Sequence, residues 1–283
     1  IIITSSYAAL TGLDNPWPAV SDELKSAQNN VKTIPTVGYH AGSADLSRWS
    51  LYKQIRQANE FLSYAHTIPQ QGDVTDYIDE DELARLKNEA RFLRAYYHYL
   101  LFELYGPIPI MTEISDPAAS DLDYYRNSVD EVVQFIDSEL NECYNSLPEK
   151  EVNDDGSANE NRSAAPTKGA ALAILAKLHV YAASPLLNGG YAEAVALKDS
   201  QDKQLFPAKD DGKWQIALNA LQRFIDYAKT HYYLYKEKNK DGELNAEESL
   251  YQLFQVNLNN PEAIWQTSKN SWGGVGDEGR ERR

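Results

Sequence analysis

The sequence predicts an all-α fold, an assembly of antiparallel helix pairs. Three observations carry this expectation. Five segments repeat apolar residues at steps of three and four, the period of one helix face. Their ends carry helix start and stop signals. The connections between them range from short to loop-like, which suits helices that pack back on their neighbours.

The elements are taken in chain order. Residues 1–45 read as helix fragments and loop. Asn15-Pro16-Trp17-Pro18 is a turn around an aromatic ring, because proline fixes its own backbone and restrains the residue before it. Ser21-Asp22-Glu23 opens a short helix, and Thr33 to Ser43 is a polar loop carrying Tyr39 and His40. The first long helix is expected from about Leu46 to His66, with Trp49, Tyr52, Ile55, Ala58 and Leu62 on one face. A Pro69-Gln70-Gln71-Gly72 linker comes next.

The second helix is expected from about Asp79 to Tyr105. Leu83, Leu86, Ala90, Leu93, Tyr97, Leu100 and Leu104 keep alternating steps of three and four. Acidic residues fill its first turns, which suits the helix dipole. A second apolar row, Phe92, Tyr96, Tyr99 and Phe102, makes the surface too wide for one neighbour, so this helix is central and covered on two sides by the helices from 46 and 166. Gly106-Pro107 stops it.

Ser128-Val129-Asp130-Glu131 is a capping box that opens a third helix to about Leu147. Asn153 to Arg162 is a polar loop. An alanine-rich fourth helix runs from about Pro166, a residue suited to the first helical position, to Ala183. Ser184-Pro185 ends it, and Asn188-Gly189-Gly190 is loop. The fifth runs from about Trp214 to His231. Glu247 to Val256 forms a short helix, Pro261 to Ser268 a short strand, and Trp272 to Gly276 is irregular.

Composition narrows the function. The net charge of −15 argues against nucleic acid and against docking on an anionic membrane, both of which need clustered Lys and Arg. Tyrosine outnumbers phenylalanine 19 to 7. Tyrosine has an apolar body and a polar tip, so the excess suits half-wet surfaces, carbohydrate contacts among them, as well as packing between helices. The single cysteine, Cys143, allows neither an internal disulfide nor a cysteine-based zinc site. No apolar stretch is long enough to span a bilayer. The chain starts Ile-Ile-Ile without an initiator Met or signal peptide and reads as mature or partial.

No catalytic motif stands out: no nucleophile elbow, P-loop, dinucleotide fingerprint or His-Glu-x-x-His. The five histidines are scattered, and His98 reads as an interhelical histidine with its hydrogen bonds met. Asn239 to Asn245 has the alternate oxygens of a calcium loop, but Leu250 stands where a bidentate Glu is needed, so it reads as a turn. Asn153 to Ala164 fails in the same way. Arg91 and Arg94 need acidic or loop partners if their helix is buried, because an unpaired buried charge is costly.

Asn88-Glu89-Ala90-Arg91-Phe92-Leu93-Arg94-Ala95-Tyr96-Tyr97, continued by Leu104-Tyr105-Gly106-Pro107-Ile108-Pro109, resembles the signature helix of the SusD/RagB family. Trp49-x-x-Tyr52-x-x-Ile55-x-x-Ala58-Asn59 resembles the family's preceding helix. Ala165 to Ala176 resembles its later alanine-rich helix, and Trp214, Ala217 and Pro261-Glu262-Ala263-Ile264-Trp265 are similar to the family's subsequent segments. The resemblance spans roughly residues 20–268 and implies a tetratricopeptide-like helical-repeat scaffold with long irregular loops.

It also implies a surface lipoprotein of a Bacteroidetes-type outer membrane. Such proteins form the lid of a SusC-like TonB-dependent transporter and deliver oligosaccharides to it, without catalysis, cofactor or metal. Two departures stand out. The family's lipid-bearing N-terminal cysteine is absent, and the chain is shorter than a typical member. Residues 1–283 are therefore expected to form a single SusD-like domain, the N-terminal helical part of a longer protein whose C-terminal portion and lipid anchor lie outside this chain. Ligand contacts are expected at aromatics outside the helical stripes, Trp17, Tyr39 and Trp272, with His40, Asn270 and Asp277 as polar partners, while Trp49, Trp214 and Trp265 are structural. Three alternatives stay open: a RagB-type lid for peptide or another nutrient, an intracellular tetratricopeptide-like scaffold for partner proteins, and a glycoside hydrolase with two facing carboxylates.

Overall fold

The computed structural model describes residues 47–72, 77–116, 118, 124–153, 155–256 and 260–266. These residues form the expected all-α fold. The long helices are α1 (Leu51–Tyr64), α2 (Glu80–Tyr105), α3 (Val129–Tyr144), α4 (Lys168–Ala183) and α6 (Gly212–His231). Two short ones, α5 (Ala192–Val195) and α7 (Ala246–Leu253), and a hairpin of β1 (Glu237–Lys238) and β2 (Leu244–Asn245) complete the set.

Local sequence sets the helix ends. Asp79 accepts a hydrogen bond from the Glu82 amide to start α2, and Gly106, at φ 65°, closes it in a conformation that disfavours a side chain. Ser128 and Glu131 form the full capping box of α3. At α4 the sequence expectation is corrected. Pro166 lies outside the helix, and Thr167 is its cap, accepting from the Ala170 amide. A hydroxyl that satisfies a free N–H outweighs the mere compatibility of proline with a first turn.

The long helices stack in sequence order: α1 on α2, α2 on α3, α3 on α4, α4 on α6. Adjacent members run antiparallel. Trp49, before α1, stacks on Tyr105 at the end of α2, with ring centroids 3.9 Å apart. Arg91 reaches Glu142 while His98 meets Phe135, so α2 and α3 run in opposite directions. The larger second neighbour of α2 is α3. α4 also meets α2, as expected of the helix from 166, through Tyr181, which donates to the Glu103 carbonyl at 2.9 Å and lies edge-on to Phe102. The apolar width of α2 shows that two neighbours exist but not which they are.

The core runs along this stack. Ile55, Phe92, Leu93, Tyr97, Leu101, Phe102, Val132, Ile136, Leu140, Leu172 and Leu178 are almost wholly buried. α4 is buried on nearly every face, from Gly169 to Ala183, and its small residues let α3 and α6 approach from both sides.

One further expectation needs correction, and one feature was not expected. Residues 261–265 form turns and bends and contain no strand. Pro261 has no amide to donate, and Asn260 closes a tight turn by accepting from the Glu262 amide. The hairpin is a second difference, since only its turn is written in the sequence pattern. Asn239 accepts from the amides of Asp241 (3.0 Å) and Glu243 (2.9 Å), and Gly242 sits at φ 82°. That Asn239 oxygen holds the backbone, as the turn reading expects.

Candidate functional site

Two of the depressions among the described residues differ in how their polar side chains are used. The first lies between α1 and the segment after α2. It encloses about 390 Å³ and is lined by Tyr52, Arg56, Asn59, Met111, Glu113 and Tyr124, among others. Three of its polar side chains are already engaged. Asn59 donates to the carbonyls of Met111 (3.1 Å) and Glu113 (3.2 Å), and Arg56 donates to the Ser115 carbonyl at 2.7 Å. Tyr52 donates to the Pro109 carbonyl at 2.7 Å. This wall pins the loop that leaves α2.

The same loop is held from below. Arg94 donates to Glu139 of α3 at 2.5 and 3.2 Å and to Asn59 of α1 at 3.0 Å. Arg91 joins Glu142 at 3.1 Å. Both arginines thus find the acidic partners on a neighbouring helix that burial demands. His98, fully buried, contacts the Arg94 carbonyl through Nδ1 (2.8 Å) and accepts from the Met111 amide at Nε2 (3.1 Å). It is the satisfied interhelical histidine that the sequence suggests. Burial lowers its pKa to about 4, opposed by its hydrogen bond to the Arg94 carbonyl.

The second depression is a small cleft of about 130 Å³ where the start of α4, the end of α6 and the turn at 260–266 meet. Tyr232, Tyr233, His231 and Trp265 supply rings, and Asn159, Ser163, Lys150 and Glu149 supply polar tips. The local architecture fixes the rings. Trp265 donates its indole N–H to the Ala164 carbonyl at 2.9 Å and sits edge-on to Phe92 and Tyr96. Tyr232 fits over Gly169, where a side chain would collide with its hydroxyl. The Tyr233 amide donates to the Pro261 carbonyl at 3.2 Å, and the residue is 70% exposed. Among the described residues the side chains of Asn159, Ser163 and Lys150 make no hydrogen bond or ion pair.

An exposed ring beside uncommitted amide, hydroxyl and ammonium groups can meet a ligand with an apolar face and a polar rim. We therefore take this cleft as the candidate site. The six residues expected from sequence, Trp17, Tyr39, His40, Asn270, Trp272 and Asp277, lie outside the described residues. The sequence reading missed Tyr233 and Asn159. Tyr233 comes just after the last apolar step of α6, and that break in period was the available signal. Trp265 is structural as expected, though in a turn. Trp49 caps the α1–α2 junction, while Trp214 is half exposed.

The family profile described as SusD-like, starch-binding and associating with the outer membrane matches residues 20–180, more than half of the chain. No curated protein matches. Among solved structures the chain is similar to BT4246 at 26% identity, covering 82% of this chain and 36% of that one, with a TM-score of 0.56. It is similar to a SusD homolog from Bacteroides thetaiotaomicron VPI-5482 at 21% identity, covering 90% and 41%, with a TM-score of 0.59. A SusD-like carbohydrate binding protein from Bacteroides fragilis NCTC 9343 is 16% identical, with 75% and 33% covered and a TM-score of 0.50. The chain therefore spans well under half the length of these structures.

Proposed function

The chain belongs to the SusD-like family, and from that premise we propose that it captures oligosaccharides at the cell surface and passes them to a SusC-like TonB-dependent transporter. The observation that carries this reading is the family match over residues 20–180, whose description joins starch binding to the outer membrane. The cleft supports it with a chemistry suited to sugars. A pyranose ring offers a C–H face to an aromatic ring and hydroxyls to amide, hydroxyl and charged side chains. The protein acts in this reading by binding, not by catalysis, and a lipid anchor outside these residues holds it at the outer membrane. Trp17, Tyr39, His40, Asn270, Trp272 and Asp277 remain proposed as additional ligand contacts.

The test is calorimetric titration of the full mature protein with α- and β-glucan oligosaccharides and with peptides of similar size. Saturable binding of at least one oligosaccharide is expected. Binding of peptides alone would transfer the protein to the RagB-type reading.

A further inference from the structure

We propose that Glu149 is a further ligand contact of the cleft, and that a proton on His231 decides when its carboxylate is free. The inference rests on the reading of this cleft as the oligosaccharide site. Glu149 lies in the segment between α3 and α4, and His231 is the last residue of α6. Both line the cleft, with His231 Nε2 3.4 Å from a Glu149 oxygen. The hydrogen bonds of the ring fix which nitrogen carries the hydrogen. Nδ1 lies 2.7 Å from the Tyr227 carbonyl, which can only accept. It also lies 2.9 Å from the Thr230 hydroxyl, whose own hydrogen goes to the same carbonyl at 3.1 Å. Both contacts place the hydrogen on Nδ1. A neutral His231 therefore turns a lone pair, not a donor, toward Glu149. A parallel stack on Tyr227, with ring centroids 3.8 Å apart, holds the imidazole in this orientation. Only the protonated ring can donate to the Glu149 carboxylate, and it then does so as a charge-assisted pair.

The charged and titratable groups around this pair leave Glu149 as the carboxylate that responds. On α6 itself, Lys229 and Asp226 pair with each other at 2.9 Å. From the segment before α4, Glu151 is bound by Arg162 at 3.2 Å, and Lys150 is the neighbouring cation of the cleft. At the start of α4, Lys168 lies over the Tyr144 ring of α3 at 5.9 Å. After α6 come the phenols of Tyr232 and Tyr233. The Glu149 side chain is 61% exposed, and among the described residues His231 is its only hydrogen-bond or ion-pair partner. Sugar hydroxyls are donors as well as acceptors, so a free carboxylate beside Asn159, Ser163 and Lys150 completes the set of polar tips. With His231 neutral, Glu149 accepts from a ligand hydroxyl. With His231 charged, the ion pair holds it back. Proton and ligand thus compete, and affinity rises with pH across the range of about 5 to 8 in which histidine changes charge.

The test is calorimetric titration of the full mature protein with α- and β-glucan oligosaccharides at about pH 5.5 and about pH 8. Both conditions lie above the pH of about 4 at which His98 takes up its proton. Binding is expected to be about threefold to tenfold tighter at the higher pH. His231→Phe keeps a ring on Tyr227 and is expected to remove this difference. Glu149→Gln is expected to remove it as well, and to weaken binding at the higher pH by about threefold, because a neutral amide oxygen is the poorer acceptor. Equal affinity of the native protein at the two pH values would overturn the proposal. So would a difference that survives either substitution, which would assign it to another group such as His40. The pair is also read without ligand, by NMR titration of the His231 ring. Its midpoint is expected to fall by about 0.5–1 pH unit in Glu149→Gln, and an unchanged midpoint would overturn the coupling. A lowered midpoint with no oligosaccharide bound at either pH would mark failure of the oligosaccharide reading instead, and would remove Glu149 as a ligand contact.

Discussion

Gly169 and Tyr232 share one small volume: a side chain on the first would occupy the place of the hydroxyl of the second. Gly169 lies in the first turn of α4, and Tyr232 is the residue that ends α6. The contact therefore fixes how closely the two helices meet where they wall the cleft.

Replacing Gly169 by alanine tests this. In an open helix the change would stabilise by about 0.5–1 kcal/mol. Here it is expected to destabilise by about 1–3 kcal/mol, because the added methyl overpacks a filled site. Thermal or urea denaturation reads the sign, and Tyr232→Ala in the same background is expected to relieve the clash. A stabilising Gly169→Ala would contradict the packing.

The Arg94–Glu139 pair is mostly buried, with side-chain exposures of 9% and 14%. Glu139→Ala leaves a guanidinium without its carboxylate and is expected to cost about 3–5 kcal/mol. Replacing both, Arg94→Met with Glu139→Leu, is expected to recover most of that loss. A double-mutant cycle on denaturation midpoints measures the coupling, and additivity of the two single changes would deny it.

His98 gives the fold a pH dependence with a definite sign. Its folded pKa, about 4, lies below the ordinary histidine value, so the unfolded chain takes up the proton first as pH falls. Its contribution is fully present above about pH 6.5 and is lost as pH drops toward 4, on the order of 2–3 kcal/mol. Protonation also removes the lone pair that accepts from the Met111 amide. His98→Gln is expected to flatten the stability profile between about pH 6.5 and 4. An unchanged slope would assign the dependence to another group.

Binding should depend on the cleft and not on the larger pocket. Tyr233→Ala and Asn159→Ala are each expected to weaken oligosaccharide binding by about threefold to tenfold, with little change in melting temperature. Met111→Ala, in the pocket beside α1, is expected to leave affinity unchanged. Calorimetry on the variants separates the sites, and loss of binding in Met111→Ala alone would move the site to that pocket.

Much of the scaffold was legible because it is local. Helical periods, the Ser128–Glu131 box and the Gly106 stop lie within a few residues of the helix ends they control. The need of Arg94 for a carboxylate was also legible, since burial of a charge can be inferred from the pattern around it. The identity of its partner was not: Glu139 is 45 positions away, and only the order of the stack selects it. The cleft was hidden for the same reason. Asn159, Tyr233 and Trp265 belong to three separated segments, and nothing in their local sequence links them until the helices bring them together.

The stacking order has a kinetic meaning as well. Because each long helix rests mainly on the one next to it in the chain, few native contacts must wait for remote segments to find one another. Such a topology has low contact order and favours fast folding. During synthesis α2 can bury one flank against α1 and the other as soon as α3 emerges. Amide exchange should then be slowest at α2 and α3 and quicken toward the outermost helices, a gradient of opening built in by sequence order alone.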